Sequence, residues 1–163
     1  MGYSWGAYSV ANVLNYYNDV KAVVSISGFN ESLDMIDSHS YSYIGGFNKV
    51  ALPFVKIHER IKFGKYAKSS AIDGFGNTDA RVMIIHSQDD QSVPIECGYN
   101  KYYEKYSDDS RFVFKLFENR GHNYVFRSEK GAKYFNDFMN DLNNYKSSTP
   151  NLTKEKIINY IIH

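Results

Sequence analysis

At 163 residues the chain fits one domain and buries about two-thirds of its unfolded surface, enough for a real core. Lys+Arg (19) and Asp+Glu (18) nearly cancel and no basic stripe is present, so nucleic acid is not an expected partner. With one cysteine (Cys97), no long apolar run and no secretory leader pattern, the sequence predicts no internal disulfide, no membrane contact and a cytoplasmic location.

In chain order, the first feature is Gly2-Tyr3-Ser4-Trp5-Gly6, a Gly-x-Ser-x-Gly pattern. In a nucleophile elbow of this type a serine sits on a sharp strand-to-helix turn, and the flanking glycines stand where side chains would collide. Three fixed positions recur by chance in roughly one chain in twenty of this length, so the residues downstream decide whether the pattern counts. Ser4 has a plainer reading as the cap of the helix behind it. Ala7, Val10, Ala11, Leu14 and Tyr17 recur at helical spacing and predict that helix over 5–17.

Residues 21–27 (KAVVSIS) form a β-branched run closed by Gly28, the pattern of a strand covered on both faces. The stretch from 30 to 75 is the least regular. It holds a predicted helix near 50–61, begun or broken at Pro53, with loops at Gly45-Gly46 and at Gly74-Phe75-Gly76. A second buried strand is expected at 81–86 (RVMIIH), a helix at 95–106, and a third strand at 111–117 (RFVFKLF). A helix over 129–145 carries Phe135, Phe138, Met139 and Leu142 on one face, and a short capped helix over 153–162 ends the chain. No repeat or linker divides the sequence, so it reads as one α/β unit over 1–163 whose strands, separated by helices, form a parallel sheet with flanking helices. The sequons at Asn30 and Asn151 are expected by chance in a chain rich in Asn and Ser.

Polar residues fall at telling places on this scaffold. Strand 81–86 runs into Asp89-Asp90-Gln91-Ser92-Val93-Pro94, and strand 111–117 runs into Glu118-Asn119-Arg120-Gly121-His122. Loops leaving the C-terminal ends of parallel strands gather along one edge, so Ser4, a carboxylate and His122 can meet there. Acyl transfer requires that meeting: a serine hydroxyl is a poor nucleophile until a neutral imidazole takes its proton, and a carboxylate must fix the imidazole tautomer. Asp89 competes with Asp90 for the carboxylate role, and either also serves as a loop or cap residue. His122 has the plain reading of a loop histidine. His86, at a strand end, reads as a satisfied structural histidine, whereas His39, His58 and His163 lack a partner pattern and read as solvated. Asp34, Asp37 and Asp73 show no metal-ligand spacing, and neither a metal nor a cofactor is expected.

The elbow, the Asp-x-x-Val-Pro segment after one strand and Gly-His after the next resemble the C-terminal half of an α/β-hydrolase, close to bacterial serine esterases and the prolyl oligopeptidase group. The likeness covers nearly the whole chain. It implies Ser4 as nucleophile, His122 as general base and then acid, Asp90 as the orienting carboxylate, and the Trp5 backbone N–H as one oxyanion donor. In that family the second donor comes from a loop after an earlier strand, so the resemblance implies a truncated fold lacking the N-terminal strands, with a cap-like insertion at about 30–75. Tyr41, Tyr43 and Phe47 in that insertion are candidates for an acyl pocket, with core packing as the alternative.

The expected activity is a serine acyl hydrolase of esterase or peptidase type acting on a small ester or peptide. The alternative is a weak or inactive remnant that self-associates. Without a strand ahead of Ser4, strand 21–27 would be an open edge, and such an edge together with the face of helix 5–17 predicts a homo-oligomer, most simply a two-fold dimer.

Overall fold

In the computed structural model, which describes residues 1–17, 19–125 and 128–162, the β-branched runs become strands because Val and Ile stiffen the backbone in extended form and pack well on a pleated surface. The chain forms two compact units, Met1–Val125 and Phe126–His163.

The first unit opens with β1 (Gly2–Tyr3) and α1 (Trp5–Val13). Then come β2 (Ala22–Ile26), α2 (Ser32–Ile44), α3 (Asn48–Phe63) and α4 (Ala71–Gly76). It closes with β3 (Arg81–Ser87), α5 (Tyr99–Tyr106) and β4 (Phe112–Phe117). All pairings are parallel, in the order β1-β2-β3-β4. Because β1 exists, the expectation that the strand before Ser4 would be missing is corrected in part: Gly2 and Tyr3 pair with Ser25 and Ile26. Two residues are too few for any periodicity to reveal. Ala22, Val23 and Val24 have β3 on one side and no partner on the other among the described residues.

Burial alternates along β3, with Val82, Ile84 and His86 buried and Met83 and Ile85 only half-buried. On β4, Val113 is 56% exposed. The apolar runs predicted strands covered on both faces; on one face Val24, Met83 and Ile85 are half-buried, and the face of Val82 and Ile84 packs against α1, α4 and α5. There Ala11 and Leu14 meet Phe75, Tyr99, Tyr102, Tyr106 and Phe112. Tyr106 stacks on Phe112 with centroids 4.3 Å apart, and Phe75 meets the same ring edge-on at 5.7 Å. Each such aromatic pair adds about 0.5–1.5 kcal/mol beyond the area it buries.

The irregular stretch is more helical than its sequence suggests. α3 runs through Pro53. Gly74-Phe75-Gly76, expected as a loop, lies in α4, whose first turn is capped by the Ser70 hydroxyl accepting from the Asp73 N–H at 3.1 Å. Gly74 permits contact between helices: a Cβ there would lie 2.1 Å from the Ala11 carbonyl oxygen. The expected helix at 95–106 divides into a 3-10 turn, Ile95–Cys97, and α5, parted at Gly98 where the backbone passes the Gly28 carbonyl. α3 shows Val50, Phe54, Ile57 and Ile61 along its outer side, all more than half exposed.

The second unit holds α6 (Glu129–Ser148), capped by the Ser128 hydroxyl, and α7 (Lys154–Ile162), where the Thr153 hydroxyl accepts from the Lys156 N–H. Tyr145 stacks on Tyr160 at 4.1 Å. No helix among the described residues is long and apolar enough to cross a membrane.

Candidate functional site

The C-terminal ends of β1, β3 and β4 deliver the polar residues to one place. Ser4 directly succeeds β1, and its N–H donates to the Ile26 carbonyl at 2.9 Å while its carbonyl accepts from Ala7 and Tyr8, so the turn is anchored to the sheet on one side and to α1 on the other. These bonds hold Ser4 at φ 54°, ψ −119°. A non-glycine residue kept there costs on the order of 1–3 kcal/mol and persists only where its surroundings over-determine it. Its hydroxyl makes no cap hydrogen bond to α1, so the plain reading of Ser4 as a helix cap does not describe it.

Of the two motif glycines only one is sterically required. A Cβ on Gly2 would lie 2.1 Å from the Gly6 carbonyl oxygen, whereas one on Gly6 would meet nothing within 4 Å. The expectation that both glycines relieve collisions is corrected at Gly6: the close approach is made by its backbone, which sits over Gly2.

The Ser4 Oγ lies 3.1 Å from His122 Nε2, and His122 Nδ1 lies 2.8 Å from Asp90 Oδ2. An ionised carboxylate only accepts, so Nδ1 carries the hydrogen and Nε2 presents a lone pair to the serine hydroxyl. The Asp90 side chain is fully buried. Its other oxygen accepts from the Ser92 N–H at 3.0 Å and the Val93 N–H at 2.8 Å. Burial pushes the Asp90 carboxyl up, but the His122 hydrogen bond, the Val93 N–H and the His122 and His86 charges together carry it below the ordinary carboxylate value.

Asp89 does a different job from its neighbour. Its Oδ1 accepts from the Ser87 hydroxyl at 2.5 Å, the Arg120 N–H at 3.1 Å and the Gly121 N–H at 2.8 Å, so it ties the loop after β3 to the loop that carries His122. Gly121 has φ +54°, the left-handed turn that aims the next residue back toward Ser4. The His122 ring lies 4.9 Å from the Tyr3 ring, and the Tyr3 hydroxyl donates to the His122 carbonyl at 3.0 Å. Neither the loop-tying role of Asp89 nor the place of Tyr3 against the imidazole is legible in the sequence; an acidic doublet after a strand is visible there, but which member faces the imidazole depends on loop geometry.

The other histidines separate clearly. His86 is fully buried, with Nε2 2.9 Å from the Val93 carbonyl and 3.5 Å from Asp90 Oδ2. Burial lowers its pKa, and because a carbonyl only accepts, Nε2 carries a hydrogen toward Val93. Expected to be satisfied, it is so on one side only, since Nδ1 is buried with no partner. His58 is exposed. His39, expected to be solvated and unpartnered, is exposed but lies 2.9 Å through Nε2 from the Ser92 carbonyl, so it joins α2 to the Asp90 loop. His163 lies outside the described residues.

A cavity of about 310 Å³ opens at Ser4, lined by Trp5, Met35, Ile36, His39 and Val93. Tyr41, Tyr43 and Phe47 do not line it; they are 61%, 87% and 77% exposed. The pocket wall comes from the first half of α2 instead, because Met35 faces inward while these aromatics lie on its far end and beyond. Trp5, the first residue of α1, has an N–H with no intrahelical acceptor, as every helix start does. Among the described residues no three His, Cys, Asp or Glu side chains are grouped to hold a metal ion.

No protein-family model matches the chain, and no curated protein does. Among solved structures it is similar to the acylaminoacyl peptidase of Pyrococcus horikoshii, with 19% identity and a TM-score of 0.54 over 96% of this chain and 25% of that one. An acylaminoacyl peptidase in complex with Z-Gly-Gly-Phe-chloromethyl ketone gives 20% identity and a TM-score of 0.54 over the same shares. The esterase domain of a Rhodothermus marinus protein gives 15% identity and a TM-score of 0.52 over 85% of this chain and 55% of that one. The chain spans a quarter of the length of the peptidases it matches. Its fold, a four-stranded parallel sheet with flanking helices, is a portion of the α/β-hydrolase fold.

Proposed function

We propose that this chain carries the catalytic residues of a serine acyl hydrolase of esterase or peptidase type. The observation that carries the reading is the continuous relay from Asp90 Oδ2 through His122 to the Ser4 hydroxyl, at 2.8 and 3.1 Å, with Ser4 in a strained backbone conformation. In this reading Ser4 Oγ attacks the acyl carbon as His122 Nε2 takes its proton, and Asp90 stabilises the imidazolium. The Trp5 N–H faces the oxygen that gains charge. Collapse of the tetrahedral adduct expels the alcohol or amine, which leaves with the proton from His122. A water molecule, deprotonated by the same imidazole, then cleaves the acyl-serine and restores the hydroxyl. The acylaminoacyl peptidase and esterase folds that this chain resembles support the same class. A fluorophosphonate probe tests it: a covalent adduct on Ser4 by mass spectrometry, abolished in Ser4→Ala, is the expected result, and an unmodified Ser4 after prolonged exposure refutes it.

A second reading, a self-associating chain without turnover, is favoured by one observation, the unpaired side of Ala22, Val23 and Val24 in β2. An open run of N–H and C=O groups recruits another strand, and Val13 and Tyr17 of the predicted 5–17 helix are 41% and 62% exposed. A two-fold dimer that pairs these edges is expected whether or not the site is active. Sedimentation velocity at micromolar concentration should give twice the chain mass; a single monomer boundary rejects the dimer.

A further inference from the structure

A second cavity, about 340 Å³, adjoins the one at Ser4, and Trp5 lines both. It is walled by Trp5 and Tyr8 of α1, Phe63 of α3 and Tyr66 of the turn after α3, with Ser32 and Glu59 as its polar members. The volume lies within the range of small-ligand sites, which begins near about 300 Å³. Four aromatic rings around one carboxylate is an unusual lining for a simple acyl pocket, which needs no charge.

The Glu59 carboxylate is not neutralised by the chain itself. Its oxygens accept from the Ser32 hydroxyl at 3.1 and 3.4 Å, and one hydroxyl leaves most of the carboxylate's acceptor capacity unused. Among the described residues no Lys or Arg pairs with it: Lys101 is on Asp34, Arg111 is on Asp109, and Lys56 lines a different cavity with Asp34 and Asp37. The negative field reaches the rings, since the Tyr8 phenol is raised by burial first and then by the Glu59 and Glu31 charges. Two of the rings already attract ammonium groups of the protein, with Lys65 Nζ 5.2 Å from the Tyr66 centroid and Lys62 Nζ 5.5 Å from that of Phe63. Over Trp5 and Tyr8 no protein cation stands among the described residues.

We propose that this cavity is a cation subsite: it seats an organic ammonium group against Trp5 and Tyr8, with Glu59 as counter-ion, so that the substrate class is an ester or amide bearing a positive charge near the scissile bond. Aromatic faces attract such cations through the ring quadrupole, and a partly desolvated carboxylate supplies the rest. Trp5 is the residue next to Ser4, so a carbonyl at the serine and a cation in the neighbouring cavity belong to one small molecule. The substrate half of this inference rests on the hydrolase reading; the cation site does not.

Trp5 is the only tryptophan of the chain, so its fluorescence reports occupancy without any turnover. Choline titrated against wild type and Ser4→Ala should change the emission saturably and equally in both. Its uncharged carbon isostere, dimethylbutanol, and the variant Glu59→Gln, which keeps the Ser32 hydrogen bond, should each weaken the response by about tenfold or more, the range a desolvated cation–aromatic contact supports. An equal response to choline and dimethylbutanol, an unchanged response in Glu59→Gln with wild-type circular dichroism, or no response to choline overturns the cation site. A matched pair of cationic and neutral activated esters separates the two readings, since Glu59→Gln should raise KM for the cationic ester alone and leave kcat in place. If choline binds and neither ester turns over, the hydrolase reading fails and the cation site stands.

Discussion

His122→Ala should lower kcat for an activated ester by about 10⁶-fold, the scale seen when the base of a serine–histidine unit is removed. The nearest atom able to take the Ser4 proton is His122 Nε2 at 3.1 Å, and His86, though only 3.5 Å from Asp90, has its Nε2 hydrogen committed to the Val93 carbonyl. Its free Nδ1 is buried, so it offers no substitute base. Asp90 would keep the Ser92 and Val93 N–H donors and stay folded in place, which separates loss of chemistry from loss of structure. Stopped-flow or steady-state hydrolysis of a nitrophenyl ester, with a thermal melt on the same sample, checks this. Turnover within tenfold of wild type would mean that another group accepts the proton and that the relay is incidental.

How much of this site is legible in the sequence depends on the distance over which each feature is specified. The three longer strands are legible because Ala22–Ile26, Arg81–Ser87 and Phe112–Phe117 are dense in β-branched or aromatic residues, and the loops behind β3 and β4 come with them. So does the order Ser, Asp, His. β1 is hidden because two residues carry no period, and its pairing with Ser25 and Ile26 is set by the partner strand. α4 is hidden because glycine normally ends helices; Gly74 is there so that α1 can approach, a requirement written in Ala11 rather than nearby in sequence. The helix α2 escapes notice since Ser, Asp, His and Tyr are weak helix formers, and its length is held by contacts such as the Asn48 amide on the Asp37 carboxylate at 2.6 Å. With α2 unseen, Met35, Ile36 and His39 cannot be assigned to the pocket, and the more conspicuous aromatics Tyr41, Tyr43 and Phe47 stand out in their place. Asp89 and Asp90 are adjacent and chemically alike; two backbone N–H groups from Ser92 and Val93 turn one toward the imidazole, and those from Arg120 and Gly121 hold the other.

Asp90→Asn should reduce kcat by about 10⁴-fold with KM nearly unchanged, because an amide in that place reverses the tautomer of the imidazole. Its carbonyl oxygen can still accept from the Ser92 and Val93 N–H groups, leaving the NH₂ to face His122 Nδ1. That nitrogen must then accept, the hydrogen moves to Nε2, and Nε2 meets the Ser4 hydroxyl as a donor with no lone pair to offer. Stability obeys a separate rule. The folded-state pKa of Asp90 lies below the unfolded value of about 3.9, so its stabilising contribution is complete above that value and is lost as pH falls through the lower folded one. Asp89 is lowered too, against its own burial, by the Ser87 hydroxyl and the Gly121 and Arg120 N–H groups, but it is present in both proteins and cancels in the difference. Urea denaturation should therefore show wild type ahead of Asp90→Asn at neutral pH, with the gap closing as the pH is taken below about 4. A gap that widens in acid would mean that Asp90 is held up rather than down, and a carboxyl protonated at neutral pH could not orient His122 as a base.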